Sequence, residues 1–159
     1  MTAHLLAAKR FLLPRNLAEG CLEALRNKGE HGDELFIALT ATVDNGEVCF
    51  RRALVPEQTC HKTPEGLLVM IEGEAIFALN HDCYEHDEIL AGQIHAHPDQ
   101  AYHSGADDVL ALVRLPGAIS IVVPHFAAGP LRRRRWSVSR RGEDGVWRAL
   151  GRRVKLELV

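Results

Sequence analysis

The chain has 159 residues, 47% of them hydrophobic and 25% charged, with a formal net charge of −2. This is the make-up of one globular domain spanning 1–159, long enough to bury a core without disulfides or structural metals. No apolar run approaches the roughly 18 residues of a membrane span, and Cys21, Cys49, Cys60 and Cys83 form no C-x-x-C pair. Zinc ribbons and thioredoxin-type redox motifs are thereby removed, and buried free thiols are expected.

The N-terminal stretch MTAHLLAAKRFLLP is broken by basic residues and lacks a small-residue cleavage site, so a cytoplasmic protein is expected. Charge is uneven: residues 1–125 carry 9 Lys/Arg against 18 Asp/Glu (net −9), and residues 126–159 carry 10 against 3 (net +7). Such a tail can meet an acidic partner, nucleic acid or the chain's own acidic body. The run Arg132 to Arg135 reads first as solvated, and nucleic acid is not the expected partner.

Asn16 followed by Glu19 has the form of a capping box, and Leu17, Cys21, Ala24 and Leu25 recur at helical spacing until Gly29 stops the run. Leu35 to Val43 and Val48 to Val55 flank Asn45-Gly46, which predicts a hairpin. Pro56 to Pro64 is expected to be a polar loop and Leu67 to Ile71 a buried strand. Glu74 to Glu85 sets Ile76, Leu79 and Cys83 on one helical face. The other face, His81, Glu85 and Glu88, matches neither H-E-x-x-H nor H-x-x-E-H and reads as a solvated stripe.

Ile89 to His97 is again extended, Asp107 to Leu115 helical, and Ala118 to Val123 an apolar strand. Arg135 to Arg140 and Val146 to Leu150 enclose Asp144-Gly145 as a closing hairpin. Strands and helices alternate, giving an α/β or α+β class with a mixed sheet.

The chemistry concentrates in QIHAHPDQAYHSGADD, residues 93–108. Side chains two apart on a strand leave the same face about 6.6 Å apart along the chain, so His95 and His97 can converge on one ion. Zinc takes neutral imidazole nitrogen at about 2.0 Å, and a catalytic zinc keeps three protein ligands and one open position. A third ligand can come from Ser104-Gly105-Ala106-Asp107, although S-x-x-D is equally a helix-capping arrangement.

With Pro98, these residues form H-A-H-P followed by S-x-x-D, which resembles the H-x-H-P…S-x-x-D signature of the JAB/MPN/JAMM zinc metalloproteases. Glu34-Leu35-Phe36-Ile37-Ala38-Leu39 resembles the family's upstream E-x-x-G-x-L element, with Ile37 in place of glycine. Two departures stand out. Ala96 replaces the usual Ser or Thr, and the gap from His97 to Ser104 is one residue short, so counting from Ser104 selects Asp107 and counting from His97 selects Asp108. Asp107 is preferred, because serine and aspartate share one helical turn while the preceding loop absorbs the deletion. Asp99 and His103 are then loop residues near the mouth.

The resemblance implies a cytidine-deaminase-like fold, with a mixed, curled sheet flanked by helices. It also implies one catalytic Zn²⁺ held by His95, His97 and Asp107, acidifying a bound water from a pKa near 16 towards about 7. Glu34 would be the general base and Ser104 the donor to the oxyanion. Glu30 and Asp33 compete with Glu34, which is preferred as the residue that opens the strand; taken alone it is an ordinary exposed carboxylate.

The implied activity is an isopeptidase that removes a ubiquitin-like protein from conjugates, possessing a deubiquitinase-like preference for an extended glycine-rich tail added beside the sheet. The loop at Thr59, Cys60 and His61 is a candidate contact surface. In bacteria the family suggests operons that also encode activating and conjugating enzymes, linked to phage defence. Rival readings are a JAMM peptidase trimming a linear ubiquitin-like or sulfur-carrier precursor, and a non-catalytic MPN-like scaffold. A nucleobase deaminase is disfavoured because H-x-E…P-C-x-x-C is absent.

Overall fold

The computed structural model describes residues 2–102 and 112–159. Helix α1 (Thr2–Ala7) leads into strand β1 (Arg10–Leu13), helix α2 (Arg15–Gly29) and the hairpin β2 (Ile37–Asp44) and β3 (Glu47–Leu54). A ribbon of β4 (Thr59–Thr63) and β5 (Gly66–Met70) precedes helix α3 (Gly73–Glu85) and strand β6 (Ile89–Ala96). Strands β7 (Ile119–Val123), β8 (Ser137–Arg141), β9 (Trp147–Ala149) and β10 (Lys155–Leu158) complete the chain.

Eight strands form one mixed sheet in the order β10-β1-β3-β2-β6-β7-β8-β9, with β4 and β5 paired apart from it. The mixed α/β class is as expected. Strand β2 is fully buried over its first five residues, β7 throughout and β6 from its second residue on. Successive strand residues face opposite sides, so this continuous burial means that both faces of the sheet centre are covered. Helices α2 and α3 both pack on β6. Register shifts on both sides of β2 near Thr40 bend the sheet there.

The Asn45-Gly46 turn forms as the sequence demands, with both residues at positive φ (48° and 78°), the combination a two-residue hairpin turn requires. Asp144-Gly145 also turns, where Asp144 accepts the Val146 N–H at 3.1 Å and pairs with Arg148 at 2.6 Å.

Several boundaries differ from the sequence reading. Helix α2 starts at Arg15 behind Pro14 without a side-chain cap, so Asn16 and Glu19 do not form the expected capping box. Proline's fixed φ already suits the helix entry. Residues 59–63 of the expected loop are strand β4, paired with β5. Residues 112–115, the end of the expected helix from Asp107, are not helical, and 107–111 lie outside the described residues. Helix α1 and strands β1 and β10 carry no clear local signal; β1 and β10 pair in parallel across the whole length of the chain.

Strands β6 and β7 pair in parallel, with residues 97–118 between them in the chain. His97 stands where the chain leaves the carboxyl end of β6, the end at which α/β sheets hold their ligands. Among the described residues no helix is long and apolar enough to cross a membrane.

Candidate metal centre

His95 lies on β6 and His97 one residue beyond it, and the two-residue spacing carries both rings to one side, as the strand period requires. Their Nε2 atoms stand 3.2 Å apart. Two nitrogens bound at 2.0–2.1 Å to a tetrahedral zinc are separated by about 3.3 Å, so the observed gap matches an edge of that tetrahedron. The same distance suits a hydrogen bond between the rings.

Both rings are buried and packed against aromatic neighbours. His95 is fully buried and His97 is 5% exposed. The Phe36 ring stacks on His95 with centroids 4.1 Å apart and planes 10° from parallel, and Tyr102 meets His97 edge-on at 4.6 Å. An aromatic wall of this kind holds an imidazole in one orientation and lowers the local dielectric around any ion it binds.

Phe36 is itself held by a side chain. Its N–H donates to Gln58 Oε1 at 2.8 Å and its carbonyl accepts from Gln58 Nε2 at 2.9 Å, while Nε2 also reaches the Pro56 carbonyl at 3.0 Å. Gln58 thus replaces a neighbouring strand for one residue. This explains why β2 starts at Ile37 and not at Leu35 as the apolar pattern predicts.

Glu34, expected to open the strand, sits three residues before it and is half-buried. The β2–β6 pairing begins at Ile37, which faces Ile94, so Glu34 precedes the paired part of the strand. Cys60 on β4 lies against the Glu34 backbone, with burial pushing its thiol pKa up against the lowering effect of that backbone hydrogen bond. Thr59, Cys60 and His61 are therefore strand residues, with Thr59 Oγ1 and His61 Nε2 at 3.2 Å. Of the competing carboxylates, Glu30 caps the end of α2 and Asp33 lies in the following turn.

Ser104 and Asp107, with the alternative ligand Asp108 and the loop residue His103, lie outside the described residues. The two flanks of that segment are described. The Asp99 carbonyl accepts the His125 N–H at 2.8 Å. On the far side, the Val113 N–H donates to buried Gln93 Oε1 at 3.0 Å, and Gln93 Nε2 donates to Ser120 Oγ at 3.1 Å. Gln93 is two residues before His95, so the chain returns on the face that carries the rings.

Among the described residues no group of three or more metal-ligating side chains is assembled. The two imidazoles, with their convergent nitrogens, fit a zinc or similar borderline cation. On α3, His81 pairs with Glu85 at 3.8 Å in solvent, as a solvated stripe should. Glu88 lies beyond the helix with its side chain only 11% exposed and pairs with Arg52 at 2.8 Å, so that end of the expected stripe is not solvated.

Sequence reasoning missed Phe36 as a wall of the site, and with it Gln58, Gln93 and Tyr102. The period-2 run from Gln93 through H-A-H is a local signal that could have found Gln93. Tyr102 lies five residues from His97 in a loop with no regular period, whereas Phe36 and Gln58 reach the site through long-range contacts.

No family model matches the chain. The chain is similar to a solution structure, protein DSY2949 from Desulfitobacterium hafniense, with a TM-score of 0.62 over 94% of both chains at 16% identity, a likeness of fold. It is 33% identical over 118 residues, 74% of this chain and 73% of the relative, to the probable metalloprotease y4jG of Sinorhizobium fredii strain NBRC 101917 / NGR234. With convergent imidazoles at the end of β6 and this extent of shared sequence, the chain belongs to the metalloprotease family of that relative.

Proposed function

We propose that the protein is a zinc-dependent peptidase of the JAMM type, acting as an isopeptidase on conjugates of a ubiquitin-like protein. The observation that carries the reading is the 3.2 Å approach of the His95 and His97 Nε2 atoms, both on buried side chains. The likeness to a probable metalloprotease and the H-x-H-P…S-x-x-D and E-x-x-x-x-L elements support it.

In this reading His95, His97 and Asp107 hold the ion. When bound, zinc supplies Lewis acidity and a water acidic enough to yield a nucleophile near neutral pH. Glu34 accepts a proton from the attacking water and returns it to the departing amine, which balances the hydrolysis of one amide bond. Ser104 donates its hydroxyl proton to the oxygen that gains charge in the tetrahedral intermediate. Phe36 and Tyr102 pack on the two rings and hold them in place.

The substrate is a ubiquitin-like protein bearing an extended, glycine-rich tail, and its conjugating enzymes are the expected pathway partners in a bacterial defence setting. The test compares a lysine-linked conjugate with a linear fusion, using wild-type and Glu34→Gln protein loaded with zinc. Cleavage of the conjugate by wild type, lost in Glu34→Gln with zinc retained, is expected. Preference for the linear fusion would move the reading to precursor processing. Zinc-loaded wild type that cleaves neither would leave a non-catalytic scaffold.

A further inference from the structure

This inference rests on the metal-centre reading above. After Pro124 three consecutive non-glycine residues adopt left-handed backbone: His125 (φ 54°), Phe126 (φ 49°) and Ala127 (φ 61°). L-residues pay sterically for that conformation, and a run of them persists only where its surroundings impose it. Here the turn grips the chain that carries the site. The Phe126 N–H donates to the His97 carbonyl and the His125 N–H to the Asp99 carbonyl, both at 2.8 Å, while the His97 N–H donates to Val123 at 2.9 Å. The pairing of β6 with β7 is thus extended past the strand end to Asp99.

The other side of the turn is seated on α2. The Arg26 guanidinium donates to the carbonyls of Ala127 at 3.2 Å and Gly129 at 3.3 Å. Gly29, three residues on and so on the same helical face, meets Phe126 directly. A Cβ at Gly29 would fall 2.4 Å from Phe126 Cβ and 2.6 Å from its Cγ. Gly29 is helical, and α2 is capped by Glu30 in right-handed conformation, so a left-handed helix stop does not explain this glycine. The space taken by Phe126 does.

We infer that the left-handed turn 125–127, clamped by Arg26 and Gly29 of α2, is a brace that fixes the backbone of His97 for metal binding. Gly29 and Arg26 are then positioning residues, acting on the metal through two intervening contacts. Gly20 on the same helix has nothing within 4 Å of an added Cβ and supplies the control.

The experiment measures zinc affinity by competition with a chromogenic chelator, alongside thermal unfolding of the metal-stripped proteins. Gly20→Ala is expected to bind zinc within twofold of wild type. Gly29→Ala is expected to bind at least tenfold more weakly, and Phe126→Gly in that background, which removes the clashing atoms, to recover most of the loss. A folded Gly29→Ala with wild-type zinc affinity, or a loss that Phe126→Gly does not repair, would overturn the brace. Should Gly29→Ala fail to fold, Arg26→Met serves: severalfold weaker zinc binding supports the brace, and unchanged binding overturns it. A wild-type chain that binds no zinc would remove the metal-centre reading and the brace with it, whereas tight wild-type binding with unaffected variants would remove the brace alone.

Discussion

Replacing Gln58 with leucine tests whether a side chain outside the sheet sets the wall of the metal centre. The amide makes three hydrogen bonds, two to the Phe36 backbone and one to the Pro56 carbonyl. Leucine is close in volume and makes none. Each such bond contributes about 1 kcal/mol net, and a buried backbone group left without a partner costs about 1–3 kcal/mol. Gln58 is half-buried, so water can reach part of the gap, and the loss is placed at about 2–3 kcal/mol. That is a large share of the 5–15 kcal/mol typical of a domain, and equals roughly 5–10 °C in Tm at this size. Phe36 is also freed to move off His95, so zinc should bind more weakly. Urea unfolding of the metal-stripped protein gives the first number and chelator competition the second. A loss below about 0.5 kcal/mol with unchanged zinc affinity would refute the role given to Gln58.

Gln93→Leu deprives the Val113 N–H of its buried acceptor and should destabilise the protein by about 2 kcal/mol in urea unfolding, with protease cleavage between 99 and 113 accelerated; a neutral result would contradict the anchoring. Arg52 bonds both Asp82 and Glu88. Its hydrogen bond holds Asp82 below the ordinary carboxylate range, and for Glu88 burial pushes up but the bonds from Arg52 and Thr40 outweigh it. Folded values below unfolded ones mean stability that is present above about pH 4–4.5 and lost as pH falls through the depressed values. Arg52→Met should therefore lose less stability between pH 5 and 3 than wild type; an equal acid slope would contradict this.

What the sequence discloses is what is local. The Asn45-Gly46 and Asp144-Gly145 turns follow from backbone preferences of the residues themselves, and the His95 and His97 pair from the strand period. Strand β4 was hidden because Thr59 to Thr63 are polar and pair only with β5, away from the main sheet, so no apolar alternation marks them. Parallel pairing of β1 with β10 joins residues about as far apart in the chain as it allows and leaves no local trace. Gly29 was legible as a stop, but the reason for it is the approach of Phe126 from a distant turn. Phe36 reads as one more core residue in E-L-F-I-A-L until its ring is found on His95.

The central claim is that His95 and His97 bind one zinc together. X-ray absorption at the zinc edge, on wild-type protein loaded with one equivalent, tests it most directly. Imidazole scattering from two rings with nitrogen near 2.0 Å, reduced to one ring in His97→Ala, is the predicted result. A sulfur shell, or a spectrum unaltered by His97→Ala, would contradict it.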